Sequence, residues 1–179
     1  SDTRLILLKI DDLGNTVWEK NFAYRDEFTY SYGRSITKTS DGGFIVTGET
    51  YDYGEDIWII KTDFAGDSIW TQHISGQNDD YPTSIIQTSD QGYILSCYSN
   101  SLGSVSNDIW LIKLDSFGDT LWSKTFGGEW PETSGNVIET LDGGFVISGT
   151  TRSYGNGGQD MWLIKTDVLG NIIWTKTYG

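Results

Sequence analysis

Among 179 residues there is one cysteine, one histidine, one methionine and two prolines. The lone Cys97 cannot form an internal disulfide, so no cross-linked framework holds the fold, and the redox compartment stays open. The single histidine, His73, has no second His or Cys nearby. That removes the usual transition-metal sites, and no local motif places it in a Ser-His-Asp arrangement. It reads as an exposed strand residue. Cations are scarce as well: 12 Lys and Arg stand against 25 Asp and Glu, and the net charge of −13 repels phosphate backbones. Nucleic-acid binding is excluded on that ground. The longest apolar runs, 5–8 and 57–60, are far too short to cross a bilayer, so no membrane insertion is expected. The N-terminus lacks the basic and apolar regions of a signal peptide. Residue 1 is Ser and the repeat described next is cut mid-unit at both ends, so the chain reads as a mature form or an excised segment.

What the sequence does have is a repeat. Lys9, Lys61, Lys113 and Lys165 return at a spacing of 52 within one phrase: RLILLKIDDLGNTVW, DIWIIKTDFAGDSIW, DIWLIKLDSFGDTLW and DMWLIKTDVLGNIIW, with no gap in any copy. A fixed period of this length means units that bury their apolar faces against one another. The expectation is a single domain over 1–179 with repeat units at about 4–55, 56–107, 108–159 and 160–179.

Each unit contains four short alternating or wholly apolar stretches separated by turn residues, and no segment has a helical period. In the second copy they fall at about 57–62, 68–74, 83–88 and 92–98. Asp63-Phe-Ala-Gly66 joins the first two, with Gly supplying a positive φ, and Ser89-Asp-Gln-Gly92 joins the last two. Four antiparallel strands in a unit of roughly 40 to 50 residues make the pattern of a β-propeller blade. The expected fold is therefore an all-β propeller of about four blades, two of them complete, which makes a partial propeller. The small residues Thr47, Gly48, Ser96, Cys97, Ser148 and Gly149 point to 43–49, 92–98 and 144–150 as innermost strands. On that assignment the 14 strands divide into a first blade of three lacking its innermost strand, two complete blades, and a last blade of three. The unpaired edges at both ends make self-association an expectation.

Seven of the eight tryptophans repeat: Trp18, Trp70, Trp122 and Trp174 at one position, Trp58, Trp110 and Trp162 at another. Recurrence in every unit is what packing between blades requires, whereas a ligand site needs a position that differs between units. Asp11, Asp63, Asp115 and Asp167 fit turn hydrogen bonds, and the repeating lysines fit pairing with carboxylates or solvation. Cys97 stands where Gly48 and Gly149 stand, as a small buried thiol.

The phrase Asp-x-x-Gly-x-x-x-Trp of 63–70 resembles the tryptophan-docking motif of quinoprotein-type propellers, which carry one more residue between Asp and Gly. More closely, DGGFIVTGET, then DIWIIKTD, then a Gly-Asp-x-x-Trp strand is similar to the repeats of secreted bacterial propeller proteins that often end in a type IX secretion sorting domain. The similarity spans essentially the whole chain. It implies a secreted or cell-surface bacterial β-propeller; some such proteins are labelled endoglucanase-like, though no catalytic motif maps here. Quinone catalysis is not carried over: those enzymes use a complete ring, a calcium site and, in several, adjacent cysteines. No cofactor is expected. Asn78, Asp79 and Asp80 offer oxygen ligands to calcium, but no loop matches Asp-x-Asp-x-Asp-Gly and a solvated acidic loop is the simpler reading.

The loops that differ between copies, 23–33, 75–82 and 127–135, mix aromatics with carboxylates. They should emerge on one face, opposite the tight turns. Tyr24, Tyr30, Tyr32, Asp79, Asp80, Tyr81, Glu129 and Trp130 are the candidate ligand-binding residues, because rings plus carboxylates suit sugars or cationic partners. The alternative, that these rings only cap blade edges, stands beside it. The expected function is a non-enzymatic binding or scaffolding module for a protein or glycan, with no catalytic residue assigned. The other reading is a catalytic or accessory module acting on polysaccharides, which would need two carboxylates facing each other across a cleft.

Overall fold

The computed structural model describes residues 4–23, 30–51, 54–101 and 106–179. They form 14 strands and no helix. The first sheet pairs β1 (Leu5–Ile10) with β2 (Thr16–Phe22). The second holds β3 (Tyr30–Lys38), β4 (Phe44–Tyr51), β5 (Glu55–Thr62) and β6 (Ser68–Ile74) in chain order. The third holds β7 (Asp80–Gln87), β8 (Tyr93–Ser99), β9 (Asp108–Leu114) and β10 (Thr120–Phe126), and the fourth β11 (Glu132–Glu139), β12 (Phe145–Thr151), β13 (Asp160–Thr166) and β14 (Ile172–Tyr178). All pairings are antiparallel between sequence neighbours. In such a meander the tight turns gather at one end of every sheet and the loops of variable sequence at the other.

The strands are therefore divided as two, four, four and four, which corrects the expected three, four, four and three. Three sheets are complete and the first has only its outer hairpin. The position of the small-residue strands is corrected too. β4, β8 and β12 lie second in their sheets, and β3, β7 and β11 take the free edge, where they lie against one another. The small residues answer to crowding from two sides. A Cβ on Gly48 would meet the Tyr32 carbonyl at 2.2 Å and Leu5 at 3.0 Å; on Gly149 it would meet the Thr133 carbonyl at 2.4 Å and Ile109 at 2.8 Å.

The middle strands β5 and β9 carry unbroken apolar runs, 57–60 and 109–112, because both of their faces are covered. On β5, Ile57 and Ile59 face the third sheet, in a core with Ile85, Leu95 and Trp110, while Trp58 and Ile60 turn back onto Leu5 and Leu7 of the first. The same alternation places Ile109 and Leu111 against Val137, Phe145 and Trp162. The outer tryptophan of each of the first three sheets reaches forward to the next one. Trp18 meets Phe44, Trp70 meets Tyr93 and Trp122 meets Phe145, with ring centroids 6.2, 5.7 and 6.0 Å apart. Each tip rests over a turn glycine of the sheet ahead, Gly66, Gly118 or Gly170, where a Cβ would come within 2.8, 2.9 or 2.7 Å of the ring.

The repeated polar residues are built in as firmly. Asp11, Asp63, Asp115 and Asp167 each accept two backbone N–H bonds of their own turn, as at Ala65 (2.8 Å) and Asp67 (2.9 Å) for Asp63. Lys61, Lys113 and Lys165 are buried, and each ammonium bonds the aspartate of the neighbouring hairpin turn: Asp41 at 2.8 Å, Asp90 at 2.9 Å and Asp142 at 2.8 Å. Lys9 belongs to the sheet without an inner hairpin, is exposed, and lies 6.0 Å from the Trp18 ring. His73 is half-buried rather than exposed, 3.3 Å from the Thr50 hydroxyl and 3.6 Å from Asp56.

Candidate functional site

Each free-edge strand departs from regular pairing at one place. The register shifts between Gly33 and Ser35, between Pro82 and Ser84, and between Ser134 and Val137. A bulge leaves an unpaired residue whose side chain is re-aimed. In the second sheet that residue is Arg34 and in the third it is Thr83. Between them lies a cleft of about 250 Å³ lined by Arg34, Glu49, Tyr81, Pro82, Thr83 and Tyr98.

Arg34 is half-exposed and ion-pairs with Glu49, which is buried on β4. The carboxylate raises the guanidinium pKa further, so the arginine stays charged. One carboxylate oxygen, Oε1, is taken by Arg34; Oε2 is buried and has no partner among the described residues. Across the cleft Tyr81 and Tyr98 are stacked, 4.8 Å between centroids at 18°. A hydrogen bond to Glu55, with burial adding to it, pushes the Tyr81 pKa up, and burial does the same for Tyr98, so both remain neutral hydroxyls. The Thr83 hydroxyl lies 2.8 Å from the carbonyls of Ser96 and of Gly135, which ties the third sheet to the fourth beside the cleft. The site thus offers guanidinium donors, anchored by a buried carboxylate, and an aromatic pair in one concavity.

The expected ligand residues are distributed unevenly around it. Tyr81 lines the cleft. Tyr32 is directly opposite Glu49 in the β3–β4 ladder and half-exposed. Asp79 serves the site indirectly, its Oδ1 accepting the Glu55 N–H at 3.0 Å. Asp80 is fully buried; its Oδ2 accepts the Gly76 N–H at 2.7 Å within its own loop, and its Oδ1 has no partner among the described residues. Tyr30 is exposed opposite Tyr51 at the loop end of β3. Glu129 and Trp130 are exposed on the loop before β11, and the Trp130 N–H donates to Ser153 at 2.9 Å; they do not join the cleft. Tyr24 lies outside the described residues. No group of three or more His, Cys, Asp or Glu among the described residues is arranged to hold a metal ion.

Arg34, Glu49 and Tyr98 were not among the candidates from sequence. Their signal lies in the alignment of copies: Glu49, Tyr98 and Thr150 share one repeat position and all differ, although they stand inside otherwise repetitive strands.

No family model matches the chain, and no curated protein does. Among solved structures it is similar to the crystal structure of a protein of unknown function from Bacteroides caccae. The identity is 10%, the TM-score 0.54, and the match covers 94% of this chain and 73% of that one. At that identity the likeness concerns the fold alone.

Proposed function

We propose that this chain is part of a β-propeller in a secreted or cell-surface bacterial protein, and that it binds a glycan in the Arg34–Glu49 cleft without transforming it. The 52-residue period, the four-stranded antiparallel sheets and their face-to-face docking support the blade reading. The location outside the cell rests on the resemblance of the repeats. The observation that carries the binding reading is the Arg34–Glu49 pair: a half-exposed guanidinium, held by a buried carboxylate, in a cleft shared with the stacked Tyr81 and Tyr98. Neighbouring hydroxyls of a sugar match the guanidinium fork, and the tyrosine rings suit its apolar faces.

Against the catalytic reading, a single carboxylate lines the cleft among the described residues, and it is already ion-paired, whereas glycoside hydrolysis requires two. A glycan array run beside a reducing-sugar assay separates the two. Oligosaccharide binding weakened at least about tenfold in Arg34→Ala and Tyr98→Ala, with no reducing ends released, is the expected result. Release of reducing sugar that Glu49→Gln abolishes replaces this reading with the catalytic one. Retention of a protein and no glycan replaces the ligand class.

A further inference from the structure

At the turn end of the sheets, the second and third are tied through Ser40 in the turn between β3 and β4. Its N–H donates to the side-chain oxygen of Gln87 at 2.7 Å, and its hydroxyl donates to that of Gln91 at 2.6 Å. Between the third and fourth sheets the same two bonds leave Ser89 and reach one carboxylate, Glu139, each at 2.8 Å. Gln87 and Glu139 hold one repeat position, at the ends of β7 and β11. Two amides therefore do between one pair of sheets what one carboxylate does between the next. The second amide strains the backbone, since Gln91 has a φ of 68° where Gly42 and Gly143 stand in the other copies. A glutamate at 87 with a glycine at 91 would make the same tether without that strain. What the two amides add is an NH2 group each, and they remove a negative charge. The Ser40 N–H can only donate, so it holds the Gln87 oxygen toward itself and turns the NH2 away. Neither Nε2 donates to a described residue.

Gln87 and Gln91 border a groove of about 250 Å³ between these two sheets, walled by Ile69, Trp70, Tyr93 and Phe117. Tyr93 is buried and Trp70 half-buried, but Ile69 and Phe117 are 57% and 78% exposed. Phe117 also differs between copies, standing where Ala65 and Leu169 stand. The charged part of the lining is already bonded within itself. The Lys61 ammonium donates to Asp41 and to the Thr62 carbonyl, and the other Asp41 oxygen accepts the Thr39 hydroxyl and the Gly43 N–H. Among the amides and the carboxylate, the groups left over are therefore donors. We propose that this groove binds an uncharged, extended peptide segment, with main-chain carbonyls on the Gln87 and Gln91 amides and one apolar side chain between Ile69 and Phe117 against the Trp70 ring. A sugar fits less well, because its hydroxyls need acceptors as well as donors. An anion is disfavoured by the net charge of −13 and by Asp41 in the lining. The groove shares no lining residue with the Arg34–Glu49 cleft, and its role is independent of what that cleft takes.

Panning a displayed library of random heptapeptides on the protein, followed by calorimetry with the selected peptides made synthetically, tests this. The main variant combines Gln87→Glu with Gln91→Gly. It restores the tether found between the third and fourth sheets and so keeps the fold, which circular dichroism checks. Phe117→Ala, at an exposed side chain, is the second variant. The selected peptides are expected to share one apolar residue and to lack Asp and Glu. Their affinity is expected to fall at least about tenfold in either variant and to stay unchanged in Trp130→Ala, which removes an exposed ring elsewhere. A library that yields no enriched sequence, or peptides that bind the double variant as tightly as the wild type, overturns the proposal. So does a glycan whose binding the double variant abolishes while no peptide is retained.

Discussion

Trp70 on the outer strand of the second sheet meets Tyr93 of the third edge-on, 5.7 Å between centroids at 70°. Its tip also rests over Gly118, so one side chain fastens two sheets at two points. Trp70→Ala should lower unfolding stability by about 3 kcal/mol, the usual scale for truncating a well-packed ring. Trp174→Ala, the same change without a sheet ahead, should cost under about 1 kcal/mol. Urea denaturation of the two variants checks the difference, which would vanish if the tryptophans acted only within their own sheets.

Lys61, Lys113 and Lys165 place three ammonium groups in the interior, each answered by a turn aspartate. Asp41→Ala leaves the Lys61 ammonium with the Thr62 carbonyl at 2.7 Å, and is expected to cost about 1–2 kcal/mol. Thermal melts check this, and Asp12→Ala, in the exposed first turn, should be silent in them.

Acid should act through the same pairs. A hydrogen bond from Lys61, with one from Thr39, holds the Asp41 pKa at about 2 against 3.8 for the free side chain, and Lys165 with Thr140 lowers that of Asp142. A carboxylate whose pKa falls on folding stabilises the fold above its unfolded value and loses that contribution as pH falls through its folded value. Melting temperature should therefore drop between about pH 4 and pH 2. Asp41→Asn with Asp142→Asn should start lower at neutral pH and fall less over that window.

Gln91 is the one non-glycine with a positive φ among the described residues, at 68°, where Gly42 and Gly143 stand in the other copies. Its side chain accepts a hydrogen bond from Ser40 at 2.6 Å, which offsets part of the strain. Gln91→Gly should stabilise by about 0.5 kcal/mol, since relief of a left-handed side chain exceeds the loss of one exposed hydrogen bond. Denaturant midpoints decide the sign.

Cys97 is fully buried and burial pushes its thiol pKa up, so thiol reagents should label it only at the rate of global unfolding. Rapid labelling of the native protein would place the third sheet among the locally opening parts.

The sequence repeat made the strands, the turns and the recurring tryptophans legible, because each rests on a periodicity or on a turn glycine that the copies state several times. β6 falls where the pattern put it, at Ser68–Ile74. Strand order within a sheet was less legible: Gly48 and Gly149 are small because Tyr32 and Thr133 carbonyls and the preceding sheet crowd them, and composition alone cannot tell that from crowding at an axis. The cleft was half-legible. Tyr81 stands out as a loop aromatic, but Arg34 is aimed inward by a bulge, and Glu49 looks like an ordinary strand residue until its pairing with Arg34 is seen. Asp80 went the other way, an acidic loop residue by sequence that is fully buried with one oxygen on the Gly76 amide.

Amide chemical-shift mapping on labelled protein, titrated with the oligosaccharide that the array selects, tests the binding role most directly. Shifts are expected to cluster at Arg34, Glu49, Thr83 and Tyr98, saturating with ligand and absent in Arg34→Ala. Shifts confined to the loops around Trp130 and Tyr154, with the cleft amides unmoved, would contradict the assignment of the site.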